Sequence, residues 1–421
     1  MKARRLMGCC VAFLIVTAAG CARHFSLGPF AQMDYGRSIA PGKQAFQRGD
    51  NEKSVDQFKK LKEKQGINYP LYLLFLGRAY MASGDFFDAQ KSFLAAEKTL
   101  DETLTGAETG INLVVSDPQK IYRGRPEDGI MAHYSNALCF VKDRDYENAI
   151  IELKKSLLAD KGKKAEQDAD FSPVHYLMGI SYGEMGLFDD ALVALRSVTR
   201  CNPECAYGWY EAAKLARAQK NEDEYKRCID KFRSLCPDSC LNSAPGKDGR
   251  EEFVILLDCG YLGPPLSGMA GSFKKRKGSY AEKYARVYID GVCAGRTYQL
   301  GDVGYQASTA GGRLMGKVAR KVIGTVARQG LSLASFGASG MLTGGGEADM
   351  RFWETLPGEI HLFMGVAPPG LHTIRLDFFD YKDRPLERYQ QVWHFINLTK
   401  GEMPILFMRS VSDIHNQNKK S

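Results

Sequence analysis

Cysteines, histidines, paired acids and a glycine-rich segment are the residues here that could carry chemistry, and each falls short of a complete motif. Gly311 to Val318 reads G-G-R-L-M-G-K-V, one residue short of the phosphate loop G-x-x-x-x-G-K-[ST]. Val318 stands where a hydroxyl must hold Mg²⁺, and no apolar strand leads into the segment. Gly337-Ala338-Ser339-Gly340 closes one residue too early for a nucleophile elbow, and Gly344 to Gly346 reads as a turn. The seven histidines are scattered, with no H-E-x-x-H pair and no i,i+4 couple. His175 falls in a helix pattern and His372 and His394 in strand patterns, where packing is the ordinary role. Asp377 and Asp380 flank Phe378-Phe379 and read as turn caps rather than an acid pair. No catalytic site, cofactor or enzymatic activity is expected.

The N-terminus carries a different chemistry. Lys2, Arg4 and Arg5 precede the apolar run VAFLIV (11–16), and Ala18-Ala19-Gly20-Cys21 follows. A basic start, a short apolar core and small residues make a processing segment. The core is too short to cross a bilayer, which needs ~20 residues. Ala-Ala-Gly-Cys resembles the bacterial lipobox, with Ala18 where Leu is usual. The resemblance implies a signal peptide over 1–20 and a mature N-terminal Cys21 carrying diacylglycerol. Ala22, rather than Asp, then implies lipid anchoring in the outer membrane, facing the periplasm. Ordinary secretion with cleavage nearby is the other reading, and in both the mature chain leaves the cytoplasm.

The elements that must position any binding residues lie between Tyr69 and Pro237. One segment holds Leu76-Gly77, Tyr80, Ala89, Phe93 and Ala96; the set returns as Ala137, Phe140, Ala149 and Leu153. It returns again as Met178-Gly179, Tyr182, Ala191, Leu195, Val198 and Pro203. A degenerate copy runs through Trp209, Ala213, Ala216, Tyr225, Ile229, Phe232 and Pro237. Small residues at this spacing let two helices cross closely while large ones fill the neighbour's gaps. The pattern resembles the tetratricopeptide (TPR) signature, which implies an all-α solenoid over 43–242 whose inner helices line a groove for another polypeptide. In that phase Leu74, Tyr134, Tyr176 and Tyr210 point into the groove, followed four residues on by Arg78, Leu138, Ile180 and Lys214. Tyrosines lose little side-chain entropy on docking, and the two cations suit a segment with acidic residues. The other reading packs these tyrosines between helices.

Residues 21–42 read as a lipidated tether, and Ala45 to Lys64 as the second half of a degenerate leading repeat. About 26 residues beyond the usual period separate the first two clear repeats and read as an ordered loop. Eight cysteines follow Cys21: Cys139, Cys201, Cys205, Cys228, Cys236, Cys240, Cys259 and Cys293. In an oxidising compartment an even set suggests disulfides. The units CNPEC and CPDSC, one repeat apart, leave zinc at Cys201, Cys205, Cys236 and Cys240 as a weaker alternative, beside free buried thiols. Cys139, inside a helix, reads as core. A net charge of +8 with well-mixed signs does not suggest a nucleic-acid partner. The run KKRKG (274–278) reads as a solvated loop.

Past Pro237 a linker, SAPGKDGREE, leads to the apolar run FVILLDCG and then to ARVYIDGVCAGRT, which alternates about Asp290-Gly291. Asp-Gly supplies the positive φ of a tight hairpin. The hairpin resembles the small β-sandwich module called PEGA. Further strands are expected at His361–Met364, His372–Phe379, Gln390–Asn397 and Pro404–Arg409. A basic amphipathic helix over 313–333 either lies across the sheet or touches membrane. SDPQKIYRGRPEDGIMAHYSNALCF, GGRLMGKVARKVI and the Trp353-x-x-Leu-Pro element resemble a family of uncharacterised Gram-negative TPR lipoproteins. The expected architecture is therefore α + β and multidomain: a TPR solenoid, then a β-rich sandwich-like domain at 251–412 with one inserted helix, then a flexible tail, 413–421. The expected function is a lipid-anchored scaffold holding another envelope protein or peptide in the TPR groove. The alternative is a ligand-binding or hydrolytic domain at 251–412 acting on envelope glycan or lipid.

Overall fold

The computed structural model describes residues 28–105, 121–122, 124–160, 171–242, 249–264, 280–307, 351–389 and 392–412. Cys21 with its lipobox, KKRKG, the near-phosphate loop, the glycine segments after it, the basic helix 313–333 and the tail 413–421 lie outside them.

Among the described residues ten α-helices come first, in five antiparallel pairs: α1 Gly28–Gln47 with α2 Asn51–Glu63, α3 Tyr69–Ser83 with α4 Phe86–Thr105, and α5 Pro126–Lys142 with α6 Tyr146–Asp160. The last two are α7 Ser172–Glu184 with α8 Phe188–Cys201 and α9 Ala206–Ala218 with α10 Glu222–Leu235. Successive pairs stack into a TPR-like array. The close crossings fall at the glycines that the repeat phase picks out. A Cβ on Gly77 would lie 2.5 Å from Phe93 Cε1, and one on Gly179 would lie 2.7 Å from Leu195 Cγ. Gly84 and Gly186 turn between helices at φ 85° and 75°, where a side chain would be strained.

Two N-terminal expectations are corrected. The stretch read as a tether is largely helix α1, held by buried Tyr35, Ile39 and Phe46 on one face. The single helix read from Ala45 to Lys64 breaks at Gly49 (φ 82°), after which the Asp50 carboxylate accepts from Lys53 N and caps α2. The leading repeat is thus a complete pair.

Two four-stranded sheets follow. Sheet A has the order β4-β5-β1-β8, with β1 Glu251–Cys259, β4 Tyr298–Asp302, β5 Glu359–Ala367 and β8 Ile405–Arg409. Sheet B has the order β3-β2-β6-β7, with β2 Tyr284–Ile289, β3 Val292–Arg296, β6 Gly370–Phe379 and β7 Val392–Leu398. Asp290 (φ 48°) and Gly291 (φ 84°) form the expected turn between β2 and β3. β1 runs antiparallel to β5 but parallel to β8. Side chains alternate across a strand. Glu252, Val254, Leu256 and Asp258 of β1 share the face turned to the helices, while Phe253, Ile255 and Leu257 face sheet B. With both faces covered, β1 reads as a nearly continuous apolar run.

Candidate functional site

At both ends of the expected groove its residues meet the chain's own sheet A. Leu74, Tyr134, Leu138, Tyr176, Ile180 and Tyr210 are buried, and so is Arg78. Arg78 Nη2 pairs with Asp258 of β1, both nearly sealed from solvent. At the other end Lys214 pairs with Glu252 of β1 and lies 3.2 Å from Glu211, while the Tyr210 hydroxyl donates to Glu252 at 2.7 Å. Between them Lys142 donates to the Ile405 carbonyl of β8 at 2.9 Å. The Tyr134 ring meets Phe171 edge-on at 6.0 Å, and Tyr176 is fully buried. An acidic segment does lie between Arg78 and Lys214, but it is β1 of the same chain. The expectation of a groove open to a partner along its length is corrected accordingly.

The electrostatics follow from this burial. Desolvation pushes the Asp258 carboxyl up, against the pull of Arg78. Desolvation also lowers the Lys214 ammonium, but Glu211 and Glu252 outweigh it and raise the group. Removal of Arg78 would strand the buried Asp258 charge, whereas Lys214 and Glu252 keep partial access to solvent.

Further contacts fix the two parts together. Tyr35 donates to the Phe352 carbonyl at 2.9 Å, and Arg351 reaches Asn68 Oδ1 at 2.7 Å. Trp353 is fully buried, with its ring 6.0 Å from that of Phe93. Arg409 donates to Asn51 Oδ1 at 2.7 Å, and Tyr207 to the Arg296 carbonyl at 3.0 Å.

The remaining chemistry-bearing residues take structural places. Among the described residues no two cysteines are joined in a disulfide, which corrects the disulfide expectation. Burial pushes the Cys205 thiol up to about 12 and Cys228 to about 11, and raises Cys236 and Cys240. Groups held as thiols are poor metal ligands. Cys201, Cys205, Cys236 and Cys240 do not converge; among the described residues only Glu97, His133 and Glu152 do. Asp380 accepts from Arg384 N, from the Arg384 guanidinium and from Lys382 N, which holds its carboxyl down at about 2 and closes a turn. His372 locks the β2–β3 hairpin to β6 through Asp290 at 2.6 Å. His361 lies between Thr297 Oγ1 (3.3 Å) and Glu359 (3.0 Å), an order that would suit nucleophilic catalysis. All three are buried, and the chain of bonds joins the two sheets.

One end of the groove stays open. A cleft of about 370 Å³ lies where α7 and α9 meet the start of β1 and the turn at Gly401–Met403. Glu184, Glu211, Glu251, Glu252 and Glu402 line it, against Lys214 and Arg250. Only Ile180 and Lys214 of the expected groove residues border it. The acidic lining was missed because Glu251, Glu252 and Glu402 are far from the repeats in sequence.

No family model matches the chain, and neither does any curated protein sequence. Among solved structures the chain is similar to MamA (residues 41 to the end) from Desulfovibrio magneticus RS-1, at 18% identity. That likeness covers 49% of this chain and 94% of the other, with a TM-score of 0.36. A MamA RS-1 double mutant gives 18% identity, 49% and 93% coverage and a TM-score of 0.37. YrrB, described as a TPR protein with an unusual peptide-binding site, gives 17% identity, 48% and 86% coverage and a TM-score of 0.35.

Proposed function

We propose that the protein is a non-catalytic, lipid-anchored periplasmic scaffold of the outer membrane that holds a basic segment of another envelope protein. The observation that carries this reading is the open cleft. Five carboxylates line it against Lys214 and Arg250; Lys214 is engaged by Glu211 and Glu252, and Glu402 pairs with Arg144 at 2.8 Å, which still leaves an acidic excess. A lysine or arginine side chain entering the cleft supplies the missing positive charge. This reverses the charge of the partner that Arg78 and Lys214 suggest from sequence. The remaining groove is given over to holding the β-sandwich, which makes the array and the sandwich one platform.

A lysine-rich extended peptide titrated calorimetrically against the full chain tests the cleft. Binding is expected to weaken about tenfold when Glu184→Lys and Glu402→Lys are combined, and to fall with added salt. Equal binding by the well-folded double variant would refute it. The anchor rests on the lipobox-like Ala18-Ala19-Gly20-Cys21. Radioactive palmitate should label the wild type and not Cys21→Ser, since the thioether needs sulfur. Label in the variant, or none in the wild type, removes the anchor from the reading.

A further inference from the structure

Neighbouring repeats converge at one more point. α4 contributes Glu97, α5 contributes His133 and α6 contributes Glu152. His133 Nδ1 lies 2.8 Å from Glu152 Oε2 and 3.3 Å from Glu97 Oε1, and the three ligand-type atoms all lie within 4.8 Å of one another. We propose that this constellation is a divalent transition-metal site, with one imidazole nitrogen and two carboxylate oxygens from the protein and solvent completing the shell.

The geometry fits such an ion. Tetrahedral zinc holds nitrogen and oxygen ligands at ~2.0–2.2 Å, which sets neighbouring ligand atoms about 3.4 Å apart. Both separations from His133 Nδ1, 2.8 and 3.3 Å, fall below that value, so an ion enters as rotamer adjustment draws the two carboxylates back. A lone proton is a poorer occupant. Nδ1 carries at most one hydrogen, yet carboxylates from two helices are aimed at it. The carboxylates are nearly buried, with side chains 8% and 5% exposed, and the His133 side chain is 14% exposed, which leaves access from its side.

The surroundings resemble those of metal ligands. Lys155 Nζ holds the other Glu152 oxygen at 2.7 Å, and Asn136 Nδ2 lies 3.4 Å from Glu97 Oε1. Outer hydrogen bonds of this kind orient ligating carboxylates. Burial raises the Glu97 carboxyl. Burial lowers His133, but its bonds to Glu152 and Glu97 outweigh that and push the imidazole up to about 9. A ligating imidazole nitrogen must be unprotonated, so binding tightens as pH rises. Imidazole with two carboxylates suits Zn²⁺, Mn²⁺ or Fe²⁺ rather than Cu⁺. The ion would tie the end of α4 to the next repeat, across the stretch where the chain departs from the repeat period.

The test uses the full-length chain in detergent, stripped with chelator and loaded with Zn²⁺ alone. The wild type should retain one equivalent through gel filtration, gain in melting temperature, and bind more tightly at pH 8 than at pH 6. E97Q, E152Q and H133Q should each lose the retained equivalent and the gain. Loading with Co²⁺ distinguishes the cysteines, since thiolate ligation adds an intense charge-transfer band. No retained zinc in the wild type, or zinc kept by all three variants with that band present, overturns the site. Where a variant does not fold, the wild type alone decides. Mn²⁺ should broaden the ring resonances of His133 selectively, and unbroadened resonances overturn the proposal.

Discussion

Tyr176→Ala combined with Tyr210→Ala should abolish the cooperative melt of the array or bring it down by tens of degrees. Tyr176 is fully buried; Tyr210 is 7% exposed, meets the Phe232 ring at 5.0 Å in a tilted contact and donates to Glu252. Truncation of one large buried aromatic side chain costs ~3–5 kcal/mol. Two such losses reach the whole stability of a typical domain, ~5–15 kcal/mol. The sites belong to successive inner helices under one sheet, so their effects need not add. A groove open to solvent predicts the opposite, a nearly unchanged melt. Calorimetry or circular dichroism separates the two, and a melt within a few degrees of wild type would show that sheet A does not cover the groove.

Arg78→Met is expected to destabilise by about 3–5 kcal/mol, because it leaves Asp258 charged and unpaired in a sealed interface. Adding Asp258→Leu should restore most of that loss, since an apolar pair of similar volume often replaces a buried ion pair at no net cost. Urea unfolding of the two single variants and the double variant measures the coupling directly. The idea fails if Arg78→Met alone costs under about 1 kcal/mol, the range of an exposed ion pair. The rescue also bears on specificity. An apolar pair would hold the strand without its charge register, so the ends of β1 would be less firmly placed against α3.

How much of this was legible depends on whether the cause is local. The repeat phase was readable because Gly77 and Gly179 answer to side chains within a single helix pair, Phe93 and Leu195. The β2–β3 hairpin was readable because Asp290-Gly291 tolerates the positive φ that a tight turn demands. β4 was missed, since YQLGD lacks alternation and is made a strand by β5 beside it. The tether was misread because Pro29, Gly36, Pro41 and Gly42 suggest a loop, while Ile39 and Phe46 bury against later elements. The groove shows the limit most clearly. Arg78 and Lys214 announce an acidic partner, but nothing local says that Asp258 and Glu252 are that partner. Glu97, His133 and Glu152 were invisible for the same reason. Their spacing follows no motif, only the rule that an inner helix touches the outer helices of its own and the preceding pair.

The parallel pairing of β1 with β8 has a consequence for the order in which the chain takes shape. Helix pairs contact their neighbours, so the array can form as it is synthesised, while sheet A closes only when Ile405–Arg409 arrives. The bond from Arg409 to Asn51 spans 358 residues. Contacts of such long sequence separation form late and slowly. Until then the inner face of the array, with Tyr134, Tyr176 and Tyr210, lacks its cover, and β1 has an unpaired edge. A nascent or truncated chain lacking its last strand would therefore display an apolar, strand-accepting concavity, the kind of surface that holding chaperones bind and that aggregates when they are scarce.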